Sequence, residues 1–388
     1  MAHTPFFEQV KKLMAQAAKA NAEEASLQGL GSKPWTRRQF LRTTGQVAAL
    51  AGALPLLNAC GSMSGTTKGR PMDIAIVGAG LAGLNAARHL KRAGYMATIY
   101  EASKRPGGRV LTGRDVLAPG LTVELGAEFI DTSHADIMEL VKEFDLPLMD
   151  CHAPSEKALK GESYYFGGKI RSTEEVVQAL RPLVERIAQD AGKIEDEKAL
   201  ADFDKLSLAQ YFDSIGAKGW IRDLLNVAMT TEMGSDIGDQ TALNILWILP
   251  TVTDTEVSLL GTSDERYKVR GGNELLVDGL VAGLKDQIKL EAKLEAVRQA
   301  GEKYKLSFKG FEVEADAVIL ALPFTILRTI TIEAPLEPGL RTFIKEAGYG
   351  MNAKVLAGFT NRLWREQGYV GAFYGDESFQ LAWDNSQL

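Results

Sequence analysis

Cysteine is nearly absent from this chain of 388 residues, which carries only Cys60 and Cys151. Two cysteines cannot build a disulfide framework, and these two form no C-x-x-C metal or redox pair. Histidine is as scarce: His3, His89, His134 and His152 are scattered and mark no metal site. Positive charge is not in excess either. Lys and Arg number 44 against 50 Asp and Glu, a formal net charge of −6, and no basic cluster is interleaved with aromatics. That balance disfavours a nucleic-acid partner. The apolar stretch from Val47 to Leu57 is too short to cross a bilayer. What remains is 45% hydrophobic and long enough to bury a large core and divide into two domains.

The stretch from Pro71 to Arg109 organises the rest. Met72 to Val77 is short, apolar and rich in β-branched residues, the composition of a buried parallel strand. Gly78-Ala79-Gly80-Leu81-Ala82-Gly83 comes directly after it, and a helical pattern runs from Leu84 through Leu90 to Gly94. In a G-x-G-x-x-G turn the first glycine bends the chain and the second admits a pyrophosphate. The third lets helix and strand pack closely, and the helix N-terminus offers unpaired N–H groups. A second strand, Ala97 to Tyr100, ends at Glu101, placed to hydrogen-bond an adenosine ribose and to repel a 2′-phosphate. Strand, glycines, helix, strand and terminal acid in this order predict a dinucleotide site rather than a structural turn.

The segment from Glu101 onward narrows the dinucleotide. Glu101-Ala102-Ser103-Lys104-Arg105-Pro106-Gly107-Gly108-Arg109 resembles the E-A-x-x-R-x-G-G-R segment of FAD-dependent amine oxidases. The resemblance implies that Gly107 and Gly108 run beside FAD and that Arg109 neutralises its diphosphate. A basic surface loop would explain Arg105 but not Gly-Gly-Arg. Many relatives carry arginine where this chain has Ser103. Further on, the strand Thr122 to Leu125 leads into Gly126-Ala127-Glu128-Phe129-Ile130, similar to the turn that meets the flavin ring in that family.

From Asp150 to Leu260 helical patterns dominate: Glu174 to Ala191, Ser207 to Ser214, Lys218 to Met229 and Gln240 to Leu249, preceded by a hairpin over Tyr164 to Ile170. Thr231 to Gly234 and Gln240 to Asn244 resemble the pocket-side segment of bacterial amine and L-amino-acid oxidases. Tyr267 to Asn273 returns the chain to the first domain with another glycine pair before a helix at Glu274 to Leu284. Strands are predicted next at Ile288 to Leu290, Leu294 to Val297, Tyr304 to Phe308, Phe311 to Val313 and Ala317 to Pro323. The resemblance puts Val297 against the adenine.

Gly350 to Val355 opens a strand predicted to run to Phe359, with Leu363-Trp364 shortly after. The family resemblance implies that Lys354 holds a water against flavin N5. On spacing alone a strand-end surface lysine is the better reading. Phe379 to Asp384 alternates as a strand, and the sequence given stops at Leu388. The resemblance therefore implies that the family's final FAD-binding segment is absent, which predicts weak FAD binding by this chain alone.

The N-terminal part reads differently. Residues 4 to 30 form an amphipathic pattern with Phe6, Val10, Leu13, Met14 and Ala17 on one face. Thr36-Arg37-Arg38-Gln39-Phe40-Leu41-Arg42 and the apolar stretch after it resemble a twin-arginine export signal. Leu57-Asn58-Ala59-Cys60-Gly61 looks like a lipoprotein box in which Cys60 would be acylated, and an ordinary buried cysteine is the alternative. A periplasmic protein, or one anchored to the outer face of the cytoplasmic membrane, is the expectation.

The expected architecture is α/β: a Rossmann-like FAD-binding domain (70–150 and 265–330) with an inserted α+β substrate domain (151–264 and 331–388). A signal region (1–60) and a linker (61–69) precede it. The expected partners are a small amine or amino acid, O2 and the export machinery. Oxidative deamination is the function implied. A desaturase or isomerase of the same superfamily, and a non-catalytic remnant or half of a split flavoprotein, are the alternatives.

Overall fold

The computed structural model describes residues 10, 12–17, 19–21, 72–248, 251–252, 257–258 and 264–386. At its centre β1 (Ile74–Val77) is buried along its whole length. Helix α1 (Leu81–Arg92) and β2 (Ala97–Tyr100) come next in the chain. The sheet is four-stranded and parallel, in the order Ile288–Lys289, β2, β1, Ala317–Leu320. Ile74 pairs with Ala97 on one side and Ala317 on the other.

Alternation along β1 divides two cores. Ile74 and Ile76 join Leu84 and Ala87 of α1, Leu140 of helix Ala135–Glu143, and Leu276 and Leu280 of helix Glu274–Ala282. Ala75 and Val77 turn to the other face, against Tyr100, Val297, Leu306 and Phe308. That face is covered by a meander of strands Leu294–Ala300, Lys303–Phe308 and Phe311–Ala315, which Thr331–Glu333 joins in parallel.

A third core lies among the helices after β2's domain. Helix Thr173–Ala191 starts at a capping box in which Ser172 and Glu175 bond each other's backbone N–H groups, and it buries Val176, Leu180, Leu183, Val184 and Ile187. It packs with helices Leu208–Ser214 and Trp220–Met233 and with the sheet containing Ser163–Phe166 and Phe373–Gly375. The helical residues 10, 12–17 and 19–21 join this core: Val10, Leu13, Met14 and Ala17 are buried in it. The twin-arginine motif, Cys60 and the linker lie outside the described residues.

Two expected strands need correction. The run from Lys354 to Phe359 is not a strand: it has no ladder partner among the described residues, and Val355 is 90% exposed. A strand exists only where a neighbour takes its N–H and C=O groups, and here Met351 N donates once, to Gly234 O at 2.8 Å, before the chain leaves that contact. The strand expected over Phe379 to Asp384 shortens to Leu381–Ala382, paired with Phe373–Gly375.

Candidate cofactor and active site

The glycine turn closes between β1 and α1 for reasons that differ at each position. Gly78 has φ +103°, and a Cβ there would meet the Ala321 carbonyl oxygen at 2.6 Å. A Cβ at Gly83 would lie 1.9 Å from Gly78 O, so helix and strand touch through this residue. At Gly80 a Cβ would meet nothing within 4 Å. The first and third glycines are thus required by the protein, whereas the second faces open ground. Leu81 and Ala82 open α1, whose first turn holds no acidic residue and no capping side chain. That end suits an anion.

The second glycine segment runs alongside. Gly107 N donates to Ala79 O at 2.7 Å, and Gly80 and Gly107 form a parallel bridge. Ala79 N donates to Glu101 Oε2 at 2.8 Å, and Ser103 N and Oγ donate to Oε1 at 2.9 and 2.8 Å. A carboxylate offers about four lone-pair sites, so Glu101 keeps capacity for a ribose hydroxyl. Ser103 thereby braces Glu101. Ala102 is exposed beside it. Arg105 is tied inside the loop, donating to Pro106 O, Val110 O and Gly108 O. Arg109 is exposed, and its side chain makes no hydrogen bond or ion pair among the described residues. An open notch over Gly80, a helix N-terminus and an uncommitted guanidinium fit a diphosphate.

The strand Thr122–Glu124 delivers the second half of the site. A Cβ at Gly126 would lie 2.0 Å from Arg109 O, and Ala127 N donates to that same oxygen at 3.0 Å. Lys354, distant in sequence, reaches this turn: its Nζ donates to Gly126 O at 3.3 Å, Glu124 O at 3.2 Å and Glu128 Oε2 at 2.6 Å. Glu128 is buried, and its Oε1 accepts from Lys268 Nζ and from Trp383 Nε1 at 2.8 Å. Lys268 Nζ also donates to Asn385 Oδ1 at 2.9 Å and lies 4.6 Å from the Phe129 ring. Burial pushes the Glu128 carboxyl up, but the Lys268 and Lys354 ammonium groups outweigh it and hold the group below the usual carboxylate range. Glu124 goes the other way. Its burial raises it despite bonds from Asn273 N and the Thr112 hydroxyl.

Val297 lies apart from this turn, buried in the meander between Leu306 and Ile332. Gln240 is a packing residue: its Nε2 donates to Met229 O at 3.1 Å and Ser235 O at 2.6 Å. Sequence reasoning passed over Lys268 and Trp383. The one signal for Lys268 was a charge at an inward position of the apolar triplet Tyr267-Lys268-Val269.

Comparison with known proteins identifies the family and the fold. Residues 81–387 match the family of flavin containing amine oxidoreductases, and the chain belongs to it. It is 25% identical over 316 residues to a Mycobacterium tuberculosis protein named as a flavin-containing monoamine oxidase, covering 79% of this chain and 69% of that one. It is 26% identical over 320 residues to an L-amino-acid oxidase of Daboia russelii, covering 78% of this chain and 62% of that one. Among solved structures, putrescine oxidase bound to putrescine superposes with a TM-score of 0.65 at 21% identity, over 82% of this chain and 73% of that one. Cyclohexylamine oxidase from Brevibacterium oxydans IH-35A gives 0.64 at 20% identity, over 79% and 70%. The fold is the Rossmann-like flavoprotein fold, the cofactor is FAD, and by family the protein is an oxidoreductase.

Proposed function

We propose that the protein oxidatively deaminates an amine or L-amino acid, with Lys354 as the residue that acts beside the flavin ring. One observation carries this reading: Lys354 and the Gly126–Ala127 turn, each assigned to the ring by its own motif, come together through the bonds from Lys354 Nζ to Gly126 O and Glu124 O. FAD, when bound, supplies the acceptor for the hydride leaving the amine-bearing carbon and passes both electrons to O2, giving hydrogen peroxide. The imine left behind takes up water and releases ammonia.

The chain's own residues bind, orient and exclude water. The notch over Gly80 and the Arg109 guanidinium would hold the diphosphate, and Glu101 would hold the ribose. Lys354 would stand on the ring side of the Gly126 turn, its ammonium held by Glu128 Oε2 and by the Gly126 and Glu124 carbonyls. No side chain is assigned as a base. The substrate amine must arrive neutral, because an ammonium has no lone pair to assist loss of hydride, so turnover should rise toward alkaline pH.

Lys354→Met tests the reading in stopped-flow absorbance of both half-reactions. Flavin should stay bound while reduction by amine or reoxidation by O2 slows by at least ten-fold. Unchanged rates in both would return Lys354 to a structural role.

A further inference from the structure

We propose that a cleft beside the meander strand Thr331–Glu333 binds a small anionic amphiphile, the carboxylate head and apolar tail of a medium-chain fatty acid. The cleft has a volume of about 300 Å³ and lies between helix Phe324–Leu327, strand Thr331–Glu333 and helix Pro338–Glu346. None of its lining residues belongs to the glycine turn, the Gly126 turn or the Lys354 segment, so the proposal is independent of the flavin site. Its walls are aliphatic. Leu327 and Ile330 are buried, and Ile332 and Ile344 are half-buried. Helix Pro338–Glu346 is nine residues long and buries none of them. A surface helix of a globular protein ordinarily sinks an apolar stripe into the core. Here Ile344 looks into the cleft, which stands where packing would otherwise close.

Three cations line the same space: Arg328, Arg341 and Lys345. Arg328 donates to Ile344 O at 2.6 Å and to Ala347 O, which caps the C-terminal end of the helix. Arg341 donates to Ile332 O at 3.2 Å and to Ala334 O at 2.7 Å. These acceptors are neutral: they orient the guanidinium groups and leave the charge unbalanced. Each guanidinium has five donors and so keeps some for a ligand. Lys345 Nζ makes no hydrogen bond or ion pair among the described residues. The neighbouring carboxylates are turned elsewhere. Glu333 pairs with Arg298 at 2.9 Å, and Glu337 accepts from Leu340 N at 2.9 Å. Glu346 follows Lys345 roughly 100° further round the helix and about 140° from Arg341, away from the cleft.

An aliphatic hollow under unbalanced cations selects its ligand from both sides. A bare inorganic anion would leave the walls wet, and a neutral hydrocarbon would leave the cations unmatched. A volume at the low end for ligand sites limits the tail to a short or medium chain.

Calorimetric titration of sodium octanoate into the full chain at neutral pH tests this. Octanoate should bind saturably, one molecule per chain. Octanol and octyltrimethylammonium, which share the tail, should bind at least ten-fold more weakly, and acetate, which shares the head, should not bind measurably. Arg341→Gln with Lys345→Gln should weaken octanoate at least ten-fold, and Ile344→Trp, which fills the cleft, should remove binding. Absence of saturable octanoate binding by the unaltered chain overturns the proposal, and so does equal affinity for octanol, because the cations would then take no part. Should the double variant not fold, Lys345→Glu decides, since Lys345 holds nothing in the fold: unchanged affinity for octanoate in that variant overturns the proposal. Binding to phosphatidylglycerol vesicles without binding to free octanoate overturns it too, and would make this face a membrane contact. Flavin-free and FAD-loaded protein should bind octanoate alike, so the outcome does not depend on that of the Lys354→Met experiment.

Discussion

Gly80 and Gly83 lie three positions apart and answer to different partners. A side chain at Gly83 meets Gly78 O within the protein, whereas one at Gly80 meets only the ground a diphosphate would occupy. Gly83→Val should therefore fail to fold, because backbone cannot move aside in a packed strand and helix. Gly80→Val should fold, as judged by circular dichroism, yet purify without flavin. Full flavin occupancy in Gly80→Val would place the pyrophosphate elsewhere. The same contrast explains why some residues were readable from the sequence. The glycine turn and Glu101 lie close in sequence and were read from spacing, and Arg109 was read from the family resemblance. Lys268 gains its meaning only by meeting Glu128 and Asn385, 140 and 117 residues away, and no local pattern carries that.

At the scale of elements, those whose stability is local were legible and those that depend on a partner were not. Helices Thr173–Ala191 and Leu208–Ser214 carry their own capping boxes, at Ser172 with Glu175 and at Ser207 with Gln210, and both fell close to the expected spans. β1 and β2 were legible from β-branched, apolar composition because burial on both faces demands it. The run after Lys354 has equally good strand composition but no neighbour to complete a ladder among the described residues, so Met351, Val355 and Phe359 stay exposed. Alternation reports which face a strand would bury, not whether another strand lies beside it. Lys354 is placed all the same, since Asn352 Nδ2 donates to Thr231 O at 2.8 Å just before it and its own Nζ is held by the Gly126 turn.

At the scale of the whole molecule, the N-terminal region carries a resemblance to an export signal and, at residues 10–21, a helical stretch whose described apolar residues pack into a core. We propose that the Arg37–Arg38 segment directs export of the folded protein, which suits an enzyme that needs FAD inserted before it leaves the cytoplasm. Arg37→Lys with Arg38→Lys keeps the charge and should retain the product in the cytoplasm on fractionation; a periplasmic product would end that reading. The residues ahead of the arginine pair are the unexpected part. Val10, Leu13, Met14 and Ala17 are buried against the helices beyond the hairpin at Ser163–Arg171. The docking is also specific: Arg181 Nε donates to Asn21 Oδ1 at 2.6 Å, and Asn21 Nδ2 returns a bond to Arg181 O at 2.9 Å. A cut at Cys60 would separate this helix from the chain it packs against, yet the apolar face would have nowhere better to go than the core it occupies. The helix should therefore stay with the exported protein, either uncut or as a peptide that purifies with it. Leu13→Ala should lower stability by about 2–5 kcal/mol, the range for a large side chain removed from a core, measured by denaturant unfolding. Intact mass spectrometry of the exported product reads the other half. A product that lacks residues 10–21 altogether, together with unchanged stability in Leu13→Ala, would mean that the leader is dispensable and that its place in the core contributes nothing to the folded enzyme.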